Sequence, residues 1–263
     1  MLIERSIGRD PFHREQYGFR RRRGTLATLD RKVAGVEECR SLVCVLVALD
    51  VKNAFNSLSW GKIMEEIRRR QLPGGLGDYL VGRKIVVHCR DGVVRRNVYA
   101  GVPEGSVLGP LLWNLVYDGL LETLVHVKDT EAVAFADDLA VLLKVRGFQD
   151  IGERIRAVMG MAIGWCRDAG LHLTHEKTEV ILLTRKRIST NFTFDVGDGR
   201  GGREISTSST VKYLGVLLDN ARGYSPHLEQ MCDKAERFLG AIRSLLPNVN
   251  GPADAVRRLY YGI

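Results

Sequence analysis

Two adjacent carboxylates interrupt an apolar segment in the middle of the chain. Asp137 and Asp138 lie inside the run from Val133 to Leu143, and all remaining residues of that run are apolar. A short run rich in Val and Leu predicts two buried strands joined at the acids, so both carboxylates are expected at a hairpin tip. Neighbouring carboxylates in a partly buried setting require a cationic partner, and a divalent metal ion is the natural candidate. The alternative is an ordinary Asp-Asp turn that faces water.

A second apolar strand also ends in an acid. The predicted strand Val43–Leu49 contains only Val, Leu, Ala and Cys, and Asp50 follows it directly. Phosphoryl transfer through two metal ions requires carboxylates from different segments to converge, because two dications about 4 Å apart must be bridged and neutralised. We therefore expect Asp50, Asp137 and Asp138 to meet at one site.

Around these acids the sequence resembles the reverse transcriptases. Leu49–Asn56 is similar to their first catalytic motif, Gly101–Pro110 to their second, and Phe135–Asp138 to their aromatic-x-Asp-Asp box, in the same order and at matching intervals. Gln16–Arg20 and Val211–Val216 resemble flanking motifs of the non-LTR retrotransposon branch, which is LINE-type and jockey-like. Together the matches extend over most of the chain, from about residue 16 to residue 219.

The resemblance implies a fold and an activity. The fold class is α+β, a right-hand polymerase palm whose antiparallel sheet is backed by helices. Residues 1–40 would be a partial fingers segment, 41–219 the palm, and 220–263 the start of a truncated thumb. The activity would be RNA-directed DNA polymerisation, with an RNA template, a DNA primer and dNTPs as partners. The alternative is a decayed or repurposed retroelement fragment that binds nucleic acid without polymerising.

The same resemblance assigns roles to the acids and to Lys177. Asp50 and Asp137 would hold two Mg²⁺ ions, with Mn²⁺ as an alternative ion, and Asp138 would support them. Lys177 falls where the family carries a lysine that acts as general acid to the leaving pyrophosphate. A solvated loop lysine is the other reading of Lys177.

Three residues are candidates for nucleotide binding. By resemblance Phe55 is the steric gate that rejects a 2′-hydroxyl, although aromatic residues also serve as ordinary core. Gly105 belongs to a glycine-rich loop that opens onto a helix, where free amides favour phosphate. Glu104 departs from the family, which has Gln at this position, and another acid would repel the triphosphate.

Contacts with nucleic acid are expected at two further places. The chain carries 39 Lys and Arg against 31 Asp and Glu, a net charge of +8, which suggests an anionic partner. Arg20, Arg21, Arg22 and Arg23 form a basic cluster beside aromatic residues, with a solvated surface as the alternative. Tyr213, Leu214 and Gly215 correspond to the primer grip, whose turn supports the primer 3′ end.

The elements that position these residues follow from periodicity and punctuation. A hydrophobic content of 45% suffices for a real core. Helices are predicted at Ser59–Gln71 with Ser59 as N-cap, from Pro110 to about Val127, from Asp150 to Ala169 with Asp150 and Glu153 as a capping pair, and from Ser225 onward. Strands are predicted at Ile85–Cys89, Val93–Ala100, Val180–Thr184, Asn191–Val196 and Val211–Asp219.

Cysteine usage and hydropathy indicate an intracellular protein. Five cysteines are scattered without a C-x-x-C pair, so neither a disulfide framework nor a zinc knuckle is indicated. No run approaches 18 apolar residues, and the start lacks a cleavable apolar segment. We expect the protein to reside in the nucleus or cytoplasm, without secretion or a membrane partner.

Overall fold

The structure is a computed structural model that describes residues 12–38, 43–90, 92–103, 105–145, 147–184, 191–195, 204–245 and 258. Its centre is a six-stranded sheet. The strand Val43–Leu49 in the middle of this sheet is almost entirely buried, as expected for a continuous Val and Leu run that is covered on both faces.

Each predicted helix and strand has a counterpart in the structure, which also contains elements that were not predicted. The helices are α1 Thr25–Glu38, α2 Ala54–Ser57, α3 Trp60–Arg69, α4 Gly75–Asp78, α5 Gly109–Leu124, α6 Ile151–Asp168 and α7 Ser225–Leu245. The strands are β1 Val43–Leu49, β2 Val51–Lys52, β3 Lys84–Cys89, β4 Gly92–Asn97, β5 Thr130–Phe135, β6 Asp138–Val145, β7 His172–Leu173, β8 Glu179–Leu183, β9 Thr193–Asp195, β10 Glu204–Ser208, β11 Thr210–Tyr213 and β12 Val216–Asp219. Two short 3₁₀ helices cover Phe148–Asp150 and His175–Lys177.

The large sheet has the strand order β5-β6-β1-β8-β10-β9. Strand β1 pairs antiparallel with both β6 and β8, and β6 pairs antiparallel with β5. The pair β8 and β10 is parallel. The sheet is thus antiparallel at the acids and mixed further away from them.

The two faces of the sheet carry different layers. On one face, Val45 and Val47 of β1 belong to the main core together with residues of α5 and α6. On the other face, Cys44 and Leu46 pack in a smaller cluster with residues of α1 and of the β11–β12 hairpin. Alternate residues of one strand therefore serve two cores, as the pleat of a strand requires.

Helix α1 is fixed to the edge of the sheet by charged groups. Arg31 forms an ion pair of 3.1 Å with Glu131 on β5. The buried Lys32 donates a hydrogen bond of 2.9 Å to the carbonyl oxygen of Glu131. The described part of the segment before β1 consequently lies directly on the large sheet.

Two predicted helix caps are wrong. Ser59 and Asp150 occupy the N-cap positions of α3 and α6, but neither side chain accepts a capping hydrogen bond. The backbone of Ser59 is held by a bridge to Ala100 and donates to Ala169. Asp150 ends a 3₁₀ helix with right-handed helical dihedrals, whereas a capping residue is normally extended.

Two hairpins lie outside the six-stranded sheet. The strands predicted at Ile85–Cys89 and Val93–Ala100 are confirmed as β3 and β4, which pair as an antiparallel hairpin and are exposed on both faces. The predicted strand over residues 211–219 is in fact a hairpin, because Leu214 and Gly215 both have positive φ and form a two-residue turn between β11 and β12. Within the described residues, no helix is long and apolar enough to cross a membrane.

Candidate active site

The register of β1 and β6 brings acids together at one end of the sheet. Leu49 pairs with Leu139, so Asp50 and Asp138 are neighbours one step further along. Since side chains alternate along a strand, both acids belong to the sheet face that carries the smaller core. Asp137 stands beside them in the two-residue turn between β5 and β6.

The pKa values of the paired acids reflect this crowding. Burial, and to a lesser degree the negative charge of Asp50, raise the pKa of Asp137. Burial, followed by the charges of Asp137 and Asp50, raises the pKa of Asp138. Lys177 opposes both shifts, and its Nζ lies 3.1 Å from Oδ2 of Asp50. One ammonium group thus faces three carboxylates.

The donor set suits a hard divalent cation. Among the residues that the structure describes, no group of three or more His, Cys, Asp or Glu side chains has the spacing of a complete metal site. The chemistry nevertheless fits, because carboxylate oxygens are the ligands that Mg²⁺ and Mn²⁺ prefer. A cation between Asp50, Asp137 and Asp138 would offset the burial and the carboxylate repulsion that raise the pKa values of Asp137 and Asp138.

A cleft of about 300 Å³ opens beside the acids. Asp50, Asp138 and Lys177 line it on the side of the large sheet, and the turn Tyr213–Gly215 lines it on the side of the β11–β12 hairpin. The candidate primer-grip residues Tyr213, Leu214 and Gly215 therefore lie across the cleft from the acids.

The same cleft contains two charged residues that the sequence analysis missed. Glu179 and Lys212 both line it. Glu179 directly precedes a predicted strand and lies two residues before Ile181, so alternation places both side chains on one face. The pairing of Glu179 with Ala48 shows that this is the face of the acids. Lys212 lies between the buried Val211 and Tyr213 of β11, so alternation places it on the opposite, exposed face of that strand.

A row of aromatic side chains supports the turn that carries Asp137. Trp113 of α5 stacks on Tyr117 with ring centroids 4.8 Å apart. The indole Nε1 of Trp113 donates to the carbonyl oxygen of Ala136 at 3.0 Å, and the hydroxyl of Tyr117 donates to that of Asp137 at 3.0 Å. These two residues tie the helix to the turn.

Phe55 belongs to the same row. Its ring stacks on Trp113 at 5.1 Å and meets Phe19 edge-on at 5.7 Å. Phe55 is half-buried and packs against the main core. One part of the ring is thus fixed by neighbours while another part remains accessible.

The segment that contains Gln16–Arg20 runs alongside β5. The amide of Tyr17 donates to the carbonyl oxygen of Ala134 at 2.8 Å, and the amide of Ala134 donates to that of Glu15 at 3.0 Å. A Cβ atom on Gly18 would lie 2.0 Å from the backbone nitrogen of Ala136. Only glycine fits at this close approach to the turn.

The four clustered arginines divide into two pairs. Arg20 donates to the carbonyl oxygen of Gln16 at 2.7 Å, and burial lowers its pKa to about 10. Arg23 donates to the same carbonyl oxygen at 3.3 Å and stacks over Tyr17 at 4.9 Å. Arg21 and Arg22 are exposed. The first pair holds its own segment, and the second pair faces solvent.

The glycine-rich loop before α5 is closed on itself. Ser106 donates to the carbonyl oxygen of Pro103 at 2.8 Å and accepts from the amide of Gly109 at 2.9 Å. Gly105 has a φ of 75°, and a Cβ atom built on it would meet no atom within 4 Å. The other predicted residue of this loop, Glu104, lies outside the described residues.

The sheet, the acids at its end and the facing hairpin define a right-hand polymerase palm. The chain belongs to the reverse transcriptase (RNA-dependent DNA polymerase) family, whose model matches residues 2–218. The resemblance inferred from the five motifs is thereby confirmed.

The relatives are proteins of mobile elements. The chain is 24% identical over 94% of its length to a 115 kDa protein of the type-1 retrotransposable element R1DM from Drosophila melanogaster. It is 27% identical over 80% of its length to a Pol polyprotein of element R1 from Bradysia coprophila, and 27% identical over 81% to the RNA-directed DNA polymerase of the mobile element jockey from Drosophila melanogaster. It spans 24%, 21% and 24% of these proteins, respectively.

Solved structures support the fold. The apo telomerase of Candida tropicalis superimposes with a TM-score of 0.57 at 12% identity, covering 84% of this chain and 37% of that one. The telomerase of Candida tropicalis bound to a TWJ fragment of telomeric RNA gives a TM-score of 0.53 at 13% identity, over 85% of this chain and 36% of that one. The predicted α+β palm is confirmed.

Proposed function

We propose that the chain is an RNA-directed DNA polymerase that adds dNTPs to a primer 3′ end on an RNA template. The observation that carries the proposal is the cleft in which Asp50, Asp138 and Lys177 face the turn Tyr213–Gly215. Acids from two strands and a cation on one side, with a backbone turn on the other, suit a primer terminus and a triphosphate. Family membership and the relatives from mobile elements support the same activity.

Reverse transcriptases use divalent metal ions, and the acids have the chemistry to hold them. Asp50 and Asp137 would hold two Mg²⁺ ions, or Mn²⁺, with Asp138 in support. When bound, such ions lower the pKa of the primer 3′-hydroxyl and stabilise charge on the leaving pyrophosphate. Burial and the neighbouring carboxylates raise the pKa values of Asp137 and Asp138, so a bound cation would stabilise their charged forms.

Other residues orient the substrates. Lys177 Nζ lies 3.1 Å from Oδ2 of Asp50 and would act as the general acid toward the leaving pyrophosphate. The turn Tyr213–Gly215 would support the primer end, and Gly105 would approach the triphosphate. Phe55, fixed by Trp113, would exclude a 2′-hydroxyl from the nucleotide site.

The domain division follows from this activity. In our proposal, residues 41–219 form the palm, 1–40 belong to the fingers and 220–263 belong to the thumb. Helix α7 begins shortly after the hairpin that lines the cleft, as a thumb joined to the primer grip would. The exposed Arg21 and Arg22 of the fingers segment would contact nucleic acid, whereas Arg20 and Arg23 shape that segment.

Primer extension tests the proposal directly. The 263-residue chain should elongate a labelled DNA primer on an RNA template with dNTPs and Mg²⁺, and a chelator should stop the reaction. Asp137→Asn should abolish extension without weakening binding of the hybrid. Asp129→Asn, at an exposed acid in the loop before β5, is the matched control and should leave extension unchanged. A parent chain that binds the hybrid but extends no primer with Mg²⁺ or Mn²⁺ would identify a nucleic-acid-binding fragment instead.

Position 104 offers a separate test of the nucleotide site. A carboxylate there opposes the triphosphate and lacks the amide N–H of Gln, which together cost about 2–4 kcal/mol. Glu104→Gln should therefore raise kcat/KM for dNTP incorporation by about 30- to 1000-fold. Glu229→Gln, an exposed acid on α7, makes the same charge change elsewhere and should have no effect. Equal rates for the parent and Glu104→Gln would show that Glu104 does not oppose the nucleotide.

A further inference from the structure

Both peptide groups that flank Asp137 are held by side chains of helix α5. The carbonyl oxygen of Ala136, in the peptide before Asp137, accepts from the indole of Trp113 at 3.0 Å. The carbonyl oxygen of Asp137, in the peptide after it, accepts from the hydroxyl of Tyr117 at 3.0 Å. Because each peptide is planar, anchoring both carbonyl oxygens restricts the two backbone dihedrals of Asp137 and thereby the direction of its Cα–Cβ bond.

The turn requires such support. It has only two central residues, Ala136 and Asp137, between the paired Phe135 and Asp138. Ala136 has a φ of 58°, a left-handed conformation that disfavours residues with a Cβ and that glycine would adopt freely. A turn with an unfavourable residue at its first position depends on external bonds to keep its shape.

The two donors are themselves rigid. Trp113 and Tyr117 are fully buried and stack on each other on successive turns of α5. Trp165 of α6 meets Tyr117 edge-on at 5.8 Å.

We propose that Tyr117 is a positioning residue for the carboxylates of the candidate active site. Together with Trp113 it holds the backbone of the turn, so that Asp137 and Asp138 face Asp50. Tyr117 lies behind the turn and acts only through the backbone. The inference rests on the proposed polymerase function, because it concerns how the same acids are aimed.

Binding of Mn²⁺ alone provides a readout that does not require catalysis. The affinity of the 263-residue chain for Mn²⁺ can be measured from the free-ion signal in electron paramagnetic resonance. Tyr117→Phe retains the ring and removes only the hydroxyl, and should weaken Mn²⁺ binding about fivefold, the equivalent of one hydrogen bond. Thr123→Val is the matched control, because it removes a hydroxyl that donates to the carbonyl of Gly119 at 2.7 Å on the same helix, away from the turn.

Kinetics separate positioning from general stability. In primer extension, Tyr117→Phe should lower kcat and raise the Mg²⁺ concentration needed for half-maximal rate, with KM for the primer–template hybrid unchanged. Thr123→Val should lose stability to urea to a similar degree yet keep the metal dependence of the parent. Trp113→Phe, which removes the other donor but keeps an aromatic ring, should shift the metal dependence in the same direction and serves if Tyr117→Phe does not fold.

The outcomes distinguish this inference from the proposed function. A parent chain that neither binds Mn²⁺ nor extends a primer would overturn the polymerase proposal itself. A parent that does both, with Tyr117→Phe equal to it in Mn²⁺ affinity and kcat, would overturn the positioning role alone. Equal losses in Tyr117→Phe and Thr123→Val would also overturn it, since the effect would then reflect stability.

Discussion

The close approach of Gly18 to the acid-bearing turn can be tested with a single methyl group. In Gly18→Ala the new Cβ would lie 2.0 Å from the nitrogen and 2.6 Å from the Cα of Ala136. These are backbone atoms of a tight turn, so they cannot swing away as a flexible side chain would. The segment around Gly18 must therefore move by about 1 Å or more to reach ordinary contact distance.

That movement breaks identifiable bonds. The amide of Tyr17 lies 2.8 Å from the carbonyl oxygen of Ala134, and the side-chain amide of the buried Asn114 lies 2.9 Å from the carbonyl oxygen of Gly18. Losing two such bonds costs about 1 kcal/mol each, and the unpaired buried amide adds about 1–2 kcal/mol. We expect Gly18→Ala to lower the free energy of unfolding by about 3 kcal/mol.

Urea denaturation followed by circular dichroism measures this loss. Gly24→Ala is the matched control, because a Cβ there meets nothing within 4 Å and Gly24 does not have a left-handed φ. The free energy of unfolding of Gly24→Ala should lie within about 1 kcal/mol of the parent value. A small increase is expected because alanine lowers the conformational entropy of the unfolded chain. If Gly18→Ala unfolds at the same urea concentration as Gly24→Ala, then Gly18 does not contact the turn and the described packing of this segment is wrong.

Two further predictions concern charged groups. Replacing Arg21 and Arg22 by alanine should reduce the slope of log K against log salt concentration for hybrid binding by about 1.5. Replacing Arg20 and Arg23 should chiefly lower the urea concentration at the unfolding midpoint. An unchanged slope for the Arg21 and Arg22 variant would show that these two residues are only solvated surface. Asp118 of α5 is fully buried and forms an ion pair of 3.2 Å with Arg70. Burial outweighs this contact and raises the pKa of Asp118 from 3.8 to about 6, so proton binding stabilises the folded state below pH 3.8 and this contribution is lost as the pH rises through 6. Relative to Asp118→Asn, the parent should lose up to about 3 kcal/mol of unfolding free energy over that range in urea titrations, and parallel curves would contradict the shift.

Local patterns in the sequence were sufficient to place the acids. The Val and Leu runs around Asp50 and Asp137 favour buried strands because they are short and rich in β-branched residues. The end of each run specifies where the carboxylate emerges. The ordered motifs then identified the family, since such residues at such intervals rarely arise together by chance. Neither inference required knowledge of a long-range contact.

The roles of several side chains were decided only by tertiary packing. Ser59 looks like a helix cap in sequence, but its backbone is tied to residues 41 and 110 positions away. Arg20 and Arg23 look like a nucleic-acid contact, yet each bonds to the backbone carbonyl of Gln16. A charge pattern cannot reveal such bonds, because they depend on how the segment folds back on itself.

The way in which the Ala136–Asp137 turn is held could likewise not be read from the sequence. Trp113 and Tyr117 read in sequence as apolar residues of a buried helix, which they are. Their polar atoms reach the carbonyl oxygens of Ala136 and Asp137 only because α5 packs on the sheet with a specific position and orientation. Periodicity fixes which face of a helix is buried, while packing against β5 and α6 fixes what that face touches. The sequence alone therefore determined the identity and position of the acids, and the tertiary structure decided how they are held.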